Sequence, residues 1–183
     1  MPVRIRVITS SVIETASYFE QLCKTQKQTQ SSTQLQDYIT SLNTDEKLIF
    51  KDILQISYPG MLLIEYLLDY KIFDDIIDLR QVIENLSAEE FMQRLLGGAV
   101  DIDTITAVVN SQRSWDELLA EHPHLDEKLA FVFNSINLFR RVWLDALVFF
   151  NTAANRQASD SLLQIKYLQK QLTKATPLAV AQS

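Results

Sequence analysis

The chain has 183 residues, 47% of them hydrophobic and 22% charged, with only three Gly, four Pro and one Cys. That is enough apolar surface for one core burying roughly 70% of the unfolded area, which excludes collagen-like, disordered and disulfide-stapled classes and sets one domain as the expectation. A formal charge of −6 and a pI near 4.9 repel polyanions, so nucleic-acid binding by this chain is not expected.

Scarce Gly and Pro also argue against a sheet-rich fold, with its many tight turns, and against Gly-rich phosphate loops. The expected class is all-α: a bundle of about 8–10 helices around a long central helix, preceded by one short β-strand. Cys23, the lone cysteine, can form no internal disulfide and has no second Cys for a metal site, which fits a reducing cytoplasm and a buried thiol. No signal peptide is recognisable, and the most apolar stretch, 129–150, is interrupted by Asn134, Ser135, Asn137, Arg140, Arg141 and Asp145, so it reads as a core helix and not a membrane span.

Residues 2–8 read PVRIRVI, in which Val3, Ile5 and Val7 alternate with Arg4 and Arg6, the period-two pattern of a strand. Ser11 with Glu14 forms a capping box, and the helix it opens carries Val12, Ala16, Phe19, Leu22 and Cys23 to about Lys24. TQKQTQSST at 25–33 has no apolar residue and reads as a loop. Leu35, Tyr38, Ile39 and Leu42 give a short amphipathic helix. Thr44 caps the next, which carries Leu48, Ile49, Ile53, Leu54 and Ile56 and stops before Pro59.

Pro59 suits a first helical turn, with MLLIEYLLDY at 61–70 continuing as a largely buried helix. Residues 74–86 form another. Ser87 with Glu90 is a second capping box, for a helix ended by Gly97 and Gly98; Asp101 or Asp103 caps a helix to Val109; Ser114 with Glu117 is a third box, for a helix through Glu121. After Pro123 the stripe Leu129, Phe133, Ile136, Trp143, Leu147, Phe150 keeps helical spacing for about seven turns and is the expected spine. Leu162, Ile165, Leu168 and Leu172 mark a narrower amphipathic helix, and 173–183 reads as a frayed tail. The domain is therefore 1–183, divided into strand 1–9, helical body 10–172 and tail.

No catalytic constellation is present: the two histidines share one turn, no nucleophile sits on a Gly-flanked elbow, and acid pairs such as Asp74–Asp75 and Glu89–Glu90 lie where helix dipoles explain them. Glu121, His122, His124 and Asp126 cluster, but two histidines flanking a proline lie on a turn and not on one helix face, so loop capping is favoured over a metal site. No metal and no cofactor are expected. Arg140 and Arg141 interrupt the most apolar helix, where an unpaired buried arginine would cost several kcal/mol. Arg141 can pair with Asp145 one turn on. Arg140, with Trp143 and Trp115, is the candidate lining of a cavity for an anionic or aromatic ligand.

A solitary strand must pair outside the helical body, so Val3, Ile5 and Val7 are the candidate pairing residues for a homodimer or a partner sheet. VRIRVITSSVIETASYFEQL at 3–22, LSAEEFMQRLLGG at 86–98 and the 125–172 run containing LFRRVWLDALVFF resemble the N-terminal helical region of extended bacterial ArsR-type winged-helix transcription regulators. These stretches cover less than half the chain. The resemblance implies an effector-sensing and dimerisation domain whose DNA-reading winged helix would follow, and no such unit precedes Ser183. Function is thus expected to be regulatory, cytoplasmic and non-enzymatic. The alternative is a stand-alone adaptor or inhibitor that docks the 162–172 helix in a partner groove.

Overall fold

The computed structural model describes residues 10–27, 33–57, 59–60, 62–63, 66, 75–152 and 154. The secondary-structure elements among these residues are all helices, as the composition predicts. The expected strand with Val3, Ile5 and Val7, the 162–172 helix and the tail lie outside the described residues.

Helix α1, Ser11–Lys27, begins one residue earlier in its capping than expected. Ser10 is the cap: its Oγ accepts the Ile13 N–H at 3.2 Å and its carbonyl accepts the Glu14 N–H at 3.0 Å, so Ser11 is already inside the helix. The helix also runs through Lys27 into the segment expected to be a loop. Helix α2, Thr33–Ser41, buries Leu35 and Tyr38. Helix α3, Thr44–Ile53, is capped by Asn43 and not by Thr44: Asn43 Oδ1 accepts the Glu46 N–H at 3.0 Å, and Glu46 Oε2 accepts the Asn43 N–H at 3.0 Å. An amide oxygen caps as well as a hydroxyl, and taking Asn43 lets Glu46 close the reciprocal box. Leu48 turns out to be 59% exposed.

Helices α4, Ile76–Glu84, and α5, Ala88–Leu95, follow with Asp75 and Ser87 as caps, the latter closing the expected box with Glu90. Gly97 and Gly98 adopt φ of 67° and 65° beyond α5, the left-handed exit that glycine permits. Helices α6, Ile102–Val109, and α7, Trp115–Glu121, start at Asp101 and at the Ser114–Glu117 box. α5 packs on α6, and α6 in turn on α8, Ala130–Asn134.

The spine is broken, against the single long helix that the apolar stripe predicts. Asp126 caps one turn of 3₁₀ helix, Glu127–Leu129, α8 follows, and the chain breaks at Ser135 (φ −149°, ψ 40°) before residues 136–152 form helix α9. Asn134 and Ser135 favour local alternatives to the helical ladder. Ser135 serves both sides of the break, its N–H bonding to Val132 O at 3.0 Å and its carbonyl accepting Phe139 N–H at 2.8 Å.

Helix α9 occupies the centre, burying Phe139, Val142, Trp143, Leu144, Ala146, Leu147 and Phe150. Two aromatic groups flank it. Phe19, Phe50 and Tyr38 surround Phe150, whose ring lies 5.7 Å from Phe19 and 5.4 Å from Tyr38; Tyr66, Phe91 and Phe139 surround Trp143 at 6.0–6.3 Å. The Tyr38 hydroxyl donates to Val142 O at 3.1 Å. Burial first, then the Asp145 and Glu46 carboxylates, push its phenol well above the ordinary value, so it remains a donor.

Arg141 pairs with Glu46 at 2.9 Å and not with Asp145, which is held instead by Arg80 at 2.8 Å. These bridges tie α9 to α3 and α4. They do more for orientation than for stability, since partly exposed pairs contribute little.

Candidate functional site

The three residues expected to share a cavity are placed in different settings. Trp143 is fully buried in the aromatic core, where its Nε1 donates to Pro59 O at 3.0 Å. Arg140 lies beside it, its guanidinium carbon 5.4 Å from the Phe91 ring centre. Its Nη1 donates to Leu86 O at 2.7 Å and Ile83 O at 3.4 Å, and its Nη2 to Asn137 Oδ1 at 2.9 Å. The guanidinium thus satisfies carbonyls at the C-terminal end of α4, a favourable place for a cation.

Trp115 is elsewhere, packed on Phe133 at 5.0 Å and lining an open groove of about 470 Å³ with Val108, Ser111, Gln112 and Asn134. Its buried Nε1 has no hydrogen-bond partner among the described residues. Arg140 and Trp143 therefore meet across Phe91, while Trp115 belongs to a separate surface.

A larger cleft, of about 600 Å³, opens between the turn after α3 and the loop after α7. Its apolar wall is Ile56, Leu62, Leu119, Pro123, Leu125 and Leu129; its polar edge is Ser57, His124, Asp126 and Glu127. The volume lies within the range of small-molecule sites, and so does the pattern of an apolar wall with a few convergent polar groups. His122 and His124 sit on the loop with ring centres 5.8 Å apart, and no cluster able to hold a metal occurs among the described residues.

Asp126 organises this edge. Its Oδ1 accepts the Lys128 N–H at 3.0 Å, capping the 3₁₀ turn, and its Oδ2 accepts the Ser57 N–H at 2.9 Å across 69 positions of sequence. Burial alone would raise the carboxyl, but the Ser57 and Lys128 N–H groups, the Ser57 hydroxyl and the Lys128 charge outweigh it and hold it below its ordinary 3.8. With a depressed folded value, the stabilisation is complete above the unfolded value and lost as pH falls through the folded one. The gap in urea midpoint between wild type and Asp126→Asn is therefore expected to be constant near neutrality and to close below about pH 4. A gap unchanged in acid would contradict this.

Between the lining residues Ser57 and Leu62 the chain is held at the 59–60 peptide. Pro59 O accepts from Trp143 Nε1, and Gly60 N–H donates to Glu20 Oε2 at 3.1 Å, so both ends of the 59–60 peptide bond are held by buried side chains of α9 and α1. Glu20 is 6% exposed, and Lys24 Nζ lies 3.5 Å from its other oxygen. A methyl group at Gly60 would stand 2.2 Å from Ala16 O.

None of the cleft residues was a ligand candidate from sequence. Ile56 and Leu125 read as positions on apolar helix stripes, and Asp126 as part of a loop-capping cluster with Glu121, His122 and His124, a capping role that it does fill. Comparison with known proteins adds no assignment: no family model fits the chain, and no curated protein and no solved structure matches it.

Proposed function

We propose that this chain is an effector-sensing regulatory domain that dimerises and conveys ligand occupancy to a DNA-reading unit, without binding DNA itself, and that the 600 Å³ cleft is its effector site. The cleft is the observation that supports this reading. Two of its lining residues, Ser57 and Leu62, flank in sequence the 59–60 peptide, which α1 and α9 hold. A ligand that prefers one placement of that turn would therefore bias both helices, and preference between two arrangements is what sensing requires. The acidic charge of the chain suits a sensor that leaves DNA contact to another unit.

Dimerisation through Val3, Ile5 and Val7 belongs to the same proposal. Native mass spectrometry of the freshly purified protein, with sedimentation velocity, tests both halves. A dimer carrying a small molecule is expected, with the ligand lost in Leu119→Trp, which fills the cleft, and the dimer lost in Ile5→Pro, which removes a strand hydrogen bond. A monomer that retains no small molecule, or retains it equally in Leu119→Trp, would overturn the proposal.

A further inference from the structure

We infer that the cleft selects a small organic cation with an apolar body, an alkyl- or arylammonium, with the Asp126 carboxylate as its anchor; this rests on the cleft being an effector site. The apolar wall supplies a surface for a hydrocarbon body, and Leu125 and Leu129 bracket Asp126 in sequence, so body and charge would be met side by side.

The carboxylates outnumber the one imidazole, His124, at the polar edge. Asp126 and Glu127 line the cleft, and among the described lining residues there is no lysine or arginine. Lys128 acts on Asp126 from the neighbouring position, helping to keep it ionised. An anion entering here would meet two carboxylates and the field of a chain of charge −6. A cation meets an anchor that is ionised and fixed in place: Ser57 and Lys128 each take one Asp126 oxygen.

Anchoring does not exhaust the carboxylate. Two oxygens offer about four lone-pair sites; the two backbone N–H groups and the Ser57 hydroxyl take three of them, which leaves about one for a ligand. An ammonium can therefore bond to Asp126 without displacing Ser57, and Glu127 adds a second, exposed carboxylate. Charge-assisted hydrogen bonds of this kind are about twice as strong as neutral ones, so the charged headgroup sets the preference and the apolar wall adds affinity without selecting the sign of charge.

The test uses hexylammonium, hexanol and hexanoate as probes, each titrated into the full chain while backbone amide resonances are followed. Saturable shifts at Ser57, Leu125, Asp126 and Glu127 are expected with hexylammonium, with hexanol weaker by roughly tenfold and hexanoate weaker still. Glu127→Gln leaves the Asp126 caps intact and should weaken hexylammonium several-fold while leaving hexanol unchanged; Asp126→Asn, which keeps one acceptor oxygen but sets an amide N–H against the other backbone N–H, should weaken hexylammonium further. Equal binding of all three probes at these amides, or hexylammonium binding indifferent to both variants, overturns the cation assignment while leaving the cleft a ligand site. No shift at the cleft with any probe removes the effector-site reading together with the inference.

Discussion

Gly60→Ala is expected to destabilise the fold by roughly 3 kcal/mol, read as a drop in urea midpoint at unchanged slope. The new Cβ would lie 2.2 Å from Ala16 O, 3.1 Å from Ala16 C and 3.2 Å from Glu20 N, all backbone atoms of α1. A flexible side chain could swing aside; a helical backbone cannot. Either the 59–60 turn or α1 must shift, and either shift lengthens the 3.1 Å bond from Gly60 N–H to the buried Glu20 carboxylate. Overpacking of this kind costs about 1–3 kcal/mol, and a weakened hydrogen bond to a buried charge adds to it. Glu20→Gln is the control: it keeps an acceptor for Gly60 and should cost clearly less. An alanine variant as stable as wild type would show that the turn can move away from α1 freely, and would remove the basis for treating it as a fixed link.

Gly60 also marks the boundary of what sequence could show. Its neighbour Pro59 signals a turn, but nothing in the local pattern says that the peptide between them lies against α1, because the residues that receive it, Ala16 and Glu20, are some forty positions away. Local chemistry reads well at the Ser87–Glu90 and Ser114–Glu117 boxes, the Asp101 cap and the Gly97–Gly98 exit, which need only their own turn of helix. It slipped by one residue at Ser10 and Asn43, where two adjacent polar residues could each cap and packing of the following helix decides between them.

The broken spine has a different cause. The apolar stripe passes through Ser135 without a gap, since a bend keeps both halves facing the same core, and hydrophobic spacing reports the facing and not the axis. Arg140 breaks the stripe for a reason invisible in its own helix: the carbonyls of Ile83 and Leu86, more than fifty positions earlier, need a donor at the end of α4. The cleft was the least legible feature of all, because its walls come from residues that resemble core, and the pairing of Ser57 N–H with Asp126 that joins the two loops spans 69 positions of sequence.

Trp143 carries the second large effect, and its variants separate packing from hydrogen bonding. Trp143→Ala removes a fully buried ring from among Tyr66, Phe91 and Phe139 and is expected to cost about 3–5 kcal/mol. Trp143→Phe retains an aromatic face but leaves Pro59 O without its donor, for a loss of roughly 2 kcal/mol by urea denaturation. Trp143 and Glu20 hold opposite ends of one rigid, planar peptide group, so the loss of one grip changes what the other can achieve. The double variant Trp143→Phe with Glu20→Gln should therefore depart from additivity by about 0.5 kcal/mol or more. Strict additivity would mean that α1 and α9 hold the turn independently through packing, and that a shift of one helix is not transmitted across the 59–60 peptide to the other.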